Sequence, residues 1–123
     1  MKALTVRQPW AELIIRGRKD VENRTRRTNH RGLLAIHAGL GFDEHEPRVR
    51  GPFDHSAIIG VVTVVDCIQG SKSPWALKEQ WHWLLSDARR LSKPIPYRGK
   101  LGLWDVDPAA ERLIRSRLRT RKG

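Results

Sequence analysis

Gly17-Arg18-Lys19-Asp20-Val21-Glu22-Asn23-Arg24 is the stretch that decides how this chain folds, because in it a helix must end and a strand begin. It follows an apolar run, Pro9-Trp10-Ala11-Glu12-Leu13-Ile14-Ile15-Arg16. Trp10, Leu13 and Ile14 fall at i, i+3 and i+4, a helical stripe that suits a core. The spacing predicts a helix over residues 9–16, with Pro9 at its first position, where the missing N–H is not needed. Gly17 is then the residue after the helix, free to take the positive φ that ends it. Beyond the turn, Val21 to Thr25 reads as extended. Strand alternation puts Glu22 and Arg24 on one face and Val21 and Asn23 on the other. One carboxylate flanked by two cations, Lys19 and Arg24, forms a charge cluster, with Lys19 expected at the rim of a cleft. Positive neighbours favour an ionised Glu22. Like charge and partial burial would push Lys19 towards a neutral amine, one route to a lysine base or nucleophile. The rival use is plain binding of a phosphate or a base carbonyl, with no bond broken. A third is a surface salt-bridge lattice without a ligand.

Outward from this stretch, the pattern alternates strands with polar crossings. Residues 2–7 read as a short first strand. Arg24-Thr25-Arg26-Arg27-Thr28-Asn29-His30-Arg31-Gly32 is a basic crossing, either a solvated loop or a phosphate contact. Leu33-Leu34-Ala35-Ile36-His37 is a strand. Residues 39–55 read as an irregular surface stretch or a short helix. Residues 57–65, β-branched almost throughout, are a buried central strand that Asp66 ends. Ser73 and Pro74 predict an N-capped short helix. Trp81 to Leu85 is read as a strand, Pro94 and Pro96 suit an extended edge, and residues 101–106 form the last strand. Asp107 caps a closing basic helix with Pro108 at its first position, and residues 119–123 form a basic end.

The octet fits G-x-K-x-x-E-x-R, and the chain thereby resembles the ASCH domain family, a branch of the PUA-like superfamily. Arg7-Gln8-Pro9-Trp10-Ala11, Ile36-His37-Ala38-Gly39, Ile59-Gly60-Val61-Val62 and the run from Pro94 to Trp104 resemble further family segments, in family order. It is similar to small single-domain members of bacterial or phage type. The resemblance implies an α+β fold: a PUA-like mixed β-barrel of five to six strands with flanking helices. Residues 1–107 would form the domain proper and residues 108–123 its basic helix and tail. It implies a cationic cleft lined by Gln8, Trp10, Lys19, Glu22, Arg24, Arg26 and His37 that takes RNA, a nucleotide or a nucleoside. Family members often have a tryptophan near position 26, where Arg26 stands here. ASCH-like proteins also include a ribonuclease and N4-acylcytidine amidohydrolases. A small hydrolase using Lys19 and Glu22 is therefore the alternative. The amidohydrolase type has threonine where Glu22 stands, plus a later glutamate, for which Glu79 and Glu111 are the candidates by position.

Composition limits the partner. There are 24 Lys and Arg against 13 Asp and Glu in 123 residues, a net +11. Such a surplus suits a polyanion. Cys67 is the only cysteine, so no disulfide can form within the chain and a reducing, cytoplasmic compartment is expected. No apolar stretch approaches the roughly 20 residues of a membrane span. Asp43, Glu44, His45, Asp54 and His55 lack the compact spacing of a metal site, and neither metal nor cofactor is expected.

Overall fold

The computed structural model describes residues 1–44 and 49–118; His45 and the basic end, residues 119–123, lie outside them. Eight elements follow one another: β1 (Lys2–Gln8), α1 (Trp10–Ile15), β2 (Val21–Arg24), β3 (Gly32–Phe42), β4 (Ala57–Ile68), β5 (Trp81–Pro96), β6 (Leu103–Asp105) and α2 (Pro108–Arg117). The strands form one six-stranded sheet in the order β2-β5-β4-β3-β1-β6. β1 and β3 run parallel and the other neighbours antiparallel. The expected α+β class, mixed strand directions and flanking helices are all present. The ladder does not close into a barrel: β2 and β6 are its edges.

Alternation along the central strands explains why both faces are covered. Leu34, Ile36, Ile59, Val62 and Val64 pack under α1 with Ile14 and Ile15, whereas Ala35, Ile58 and Val61 pack under α2 with Ala110 and Ile114. α2 starts as its sequence requires, with the Asp107 carboxylate accepting from the Ala110 N–H at 2.7 Å.

Bulges bend the sheet. Thr63 pairs with Ser86 and Val61 with Arg89, so β5 carries one more residue than β4 there, and Asp87 absorbs it at φ 56°. Two further register shifts follow on the same pair, and each one bends and twists the strand carrying the extra residue. The bending carries the β2 edge round to face β1. No ladder joins β1 and β2, yet Arg24 Nη2 of β2 donates to the Thr5 carbonyl of β1 at 2.9 Å. A side chain bridges the seam where a barrel would have backbone pairing.

Several sequence expectations shift. Pro9 is the N-cap of α1, not its first residue. β3 runs on to Phe42, and β4 passes through Asp66 to Ile68. The helix expected after Ser73 is a turn, in which the Ser73 hydroxyl accepts from the Trp75 N–H. Asn23 keeps it from continuing. Its amide donates to Trp75 O and its carbonyl accepts from Leu77 N, at 2.9 and 2.8 Å, so these backbone groups are committed to β2.

Candidate functional site

The end of α1 sets the site. Gly17, at φ 74°, donates its N–H to Ile14 O, and Arg18 donates to Leu13 O. This pair of bonds is the Schellman arrangement that a glycine in the left-handed region permits. It turns the chain so that Lys19 points inward and not to the expected rim. Lys19 is 6% exposed, and its ammonium donates to Val21 O and, at 3.4 Å, to Glu22 Oε1. Arg24 reaches the other carboxylate oxygen, Oε2, with Nε at 2.9 Å and Nη2 at 2.8 Å. Glu22 therefore ties both cations together, as alternation on β2 suggests. Burial pushes the Lys19 ammonium below its ordinary pKa, and the nearby Arg24 adds to this; the Glu22 carboxylate and its hydrogen bond oppose it.

A groove of about 660 Å³ opens along the seam between β1 and β2. Thr5 and Arg7 line it from β1, Trp10 from α1, Glu22 and Arg24 from β2, with Lys19 at its inner end. Trp75, on the turn that Asn23 fastens, completes the wall. The rings of Trp10 and Trp75 meet edge to face, centroids 6.2 Å apart at 74°, and the Trp75 indole N–H is tied to Arg18 O at 2.9 Å. Trp10 is half-buried and packs on the core as well as facing the groove. The site thus joins an aromatic corner to a buried charge cluster.

Of the residues expected in the cleft, Trp10, Lys19, Glu22 and Arg24 come together. Gln8, Arg26 and His37 do not line the groove. Gln8 is fully buried; its side-chain carbonyl accepts from Glu12 N in the first turn of α1, and its amide donates to Asp54 O. Arg26 is exposed on the crossing. Neither Glu79 nor Glu111 lines the groove. Among the described residues no three His, Cys, Asp or Glu side chains gather as a metal site would need. Thr5, Arg7 and Trp75 are additions that sequence reasoning passed over. An aromatic beside Ser-Pro in a stretch without helical periodicity was the available signal for Trp75.

His37 sits behind the groove in a relay. The Trp104 indole N–H donates to Thr5 Oγ1 at 3.3 Å, Thr5 Oγ1 lies 3.2 Å from His37 Nδ1, and His37 Nε2 lies 2.6 Å from Tyr97 O. A carbonyl only accepts, so Nε2 carries the proton and Nδ1 accepts from the threonine hydroxyl: the neutral ring satisfies every partner. Burial lowers the His37 pKa from 6.5, opposed by the Tyr97 carbonyl. The unfolded chain therefore binds this proton more tightly than the folded one. His37's contribution is complete above about pH 6.5 and is lost as pH falls through the lowered folded value. Urea unfolding at pH 7.5 and pH 5 should show a larger acid loss for the wild type than for His37→Gln. Equal losses would remove His37 from the account.

A family model for the ASCH domain matches residues 4–95. The chain is 26% identical over 136 positions to Activating signal cointegrator 1 of Homo sapiens, covering 85% of this chain and 22% of that protein. The chain thus spans about a fifth of that relative's length. The crystal structure of ASCH from Zymomonas mobilis is similar in fold, with a TM-score of 0.65 at 16% identity, covering 96% of this chain and 95% of that one. A mutant of the same Zymomonas protein gives a TM-score of 0.65 at 15% identity, covering 96% and 98%. The family match spans the groove's β1, α1 and β2 together with most of the sheet behind them, and the chain belongs to the ASCH domain family.

Proposed function

We propose that the groove binds RNA, or a nucleotide of it, by receiving a nucleobase between the Trp10–Trp75 corner and the Glu22–Arg24 pair. The observation that carries this reading is that both features share one open groove. An unstacked base offers a π-face to a tryptophan and donors and acceptors at its edge to a carboxylate and a guanidinium. The net +11 charge and the association of the ASCH family with RNA binding support it. Action in the cytoplasm is part of the reading, and the fold needs no disulfide, Cys67 being the only cysteine. No helix among the described residues is long and apolar enough to cross a membrane.

Titrating single-stranded RNA into the protein tests it through tryptophan fluorescence. Trp75→Ala should cost about 1–3 kcal/mol of binding, the worth of one stacked base. Affinity should fall with salt at a slope of about −0.7 per neutralised phosphate. Affinity that is flat between low and moderate salt, or unchanged in Trp75→Ala, would count against the groove.

Burial of Lys19, which favours its neutral amine, supports a second reading: a small hydrolase of RNA or acylated nucleosides. The two separate on Lys19→Met. A binder turns nothing over and loses affinity; an enzyme loses turnover and keeps much of its binding.

A further inference from the structure

Inside the groove Lys19 and Arg24 are already committed to Glu22, and Arg7, at the exposed end of the lining, donates to Phe42 O. Lys19 is held by Glu22 and Val21 O, and Arg24 by Glu22 and Thr5 O. Uncommitted positive charge lies next door. β2 pairs with β5 in the register Glu22↔Trp83 and Arg24↔Trp81. Residues directly opposed across two strands project to the same face, so these tryptophans flank the groove's carboxylate and arginine. Trp83 is buried, and its indole N–H donates to Arg26 O at 3.1 Å. Thr28 N donates to Cys67 Sγ at 3.5 Å. These two bonds fasten the crossing after β2 to the sheet. So held, it places the Arg27 guanidinium over the half-buried Trp81 ring, 6.0 Å from its centroid. Arg26 and Arg27 are exposed, and no carboxylate among the described residues pairs with either.

We propose that Arg27, lying over Trp81, together with Arg26 forms a second nucleotide subsite, so that the groove's ligand is a single-stranded RNA segment of at least two nucleotides and not a free nucleoside. This rests on the groove reading above. A guanidinium held over an indole can sandwich with a base, while Arg26 meets the phosphate that links this base to the one in the groove. The division of labour follows from the charges: Glu22 neutralises Lys19 and Arg24 where the base is received, and the crossing holds the backbone with arginines that no carboxylate neutralises.

Affinities of the four ribonucleosides and of the four RNA homopentamers would be measured for the wild type, Arg26→Gln/Arg27→Gln and Trp81→Leu. The best pentamer should bind at least about 10-fold tighter than its nucleoside. The double arginine variant should lose most of that gain, with its salt slope flatter by about 1.4, two phosphates' worth, and bind nucleoside within about 2-fold of wild type. Should Trp81→Leu fail to fold, the arginine variant still decides, because both its side chains are exposed. Pentamers no tighter than nucleosides would sink the subsite and leave the groove standing. So would an arginine variant that changes neither ligand, or both alike. If the wild type binds neither ligand, the groove reading falls and takes the subsite with it.

Discussion

Glu22→Gln should cost about 3 kcal/mol or more of folding free energy and abolish ligand binding. The Glu22 side chain is 10% exposed and is bonded on one oxygen to Lys19 and on the other to Arg24. Glutamine keeps the shape, but its amide nitrogen must face one of two donors, and the Lys19 charge is left buried without a counter-charge. Removing one partner of a buried pair typically costs about 3–5 kcal/mol, most of it the stranded ion. A surface cluster would have lost its ligand and kept its stability; burial links the two losses. Lys19 also supplies a check by pH. Without the Glu22 charge the largest influence raising its pKa is gone and only the smaller one of Asp20 remains, so its folded value drops further below that of the unfolded chain. Its penalty is then largest at neutral pH and shrinks as pH rises towards the unfolded value. Urea unfolding at pH 7 and pH 9 should show the variant recovering part of its deficit at the higher pH. Adding Lys19→Met should also restore stability, a coupling that a double-mutant cycle reads. A variant within about 0.5 kcal/mol of wild type at pH 7, the range of ordinary surface changes, would sink the buried-cluster account.

Gly60→Ala should be comparably damaging for a different reason. Gly60 of β4 lies where α1 crosses the bulged stretch of β5. A Cβ there would sit 2.5 Å from the Arg89 carbonyl oxygen and 2.7 Å from Ile15 Cδ1. The side-chain contact could yield by a rotamer change, but the carbonyl belongs to the β5 backbone, so the strand itself must move. Overpacking typically costs about 1–3 kcal/mol, and a backbone obstacle puts this case at or above the top of that range. Circular dichroism melts should show the loss; a melting temperature unchanged from wild type would mean that the β4–β5 spacing is looser than the geometry states. Since α1 delivers Gly17 and hence Lys19, the variant's remaining folded fraction should also bind ligand less well.

Much of this protein was legible locally. The stop after Ile15 needed only Gly17, whose φ is positive as a helix-ending glycine's should be. The sharing of one carboxylate by two cations followed from alternation on β2 and a turn of two residues. The central strands announced themselves through β-branched runs, and Asp107-Pro108 through capping chemistry. Each of these depends on residues within about one helical turn of one another, where backbone stereochemistry alone sets the relation.

Other features depended on contacts that no local pattern encodes. Lys19 looked like a rim residue because the turn at Gly17 was expected to leave it there, yet the Schellman turn aims it inward, where Val21 O and Glu22 satisfy it. Gln8 looked like a cleft residue and is instead buried, its side-chain carbonyl accepting from Glu12 N in the first turn of α1. His37 is taken up by Thr5 and by Tyr97, 60 residues away. Trp75 enters the groove only because Asn23, 52 residues earlier, fastens its turn. The open seam was the furthest from view. It exists because bulges between β4 and β5 bend the sheet without bringing β2 into register with β1, so that Arg24 and not a backbone ladder spans the gap. The sequence by itself determined which residues turn, alternate and cap. Only the tertiary structure decided which of them share a groove, because sheet curvature is summed over register shifts on strands distant in the chain.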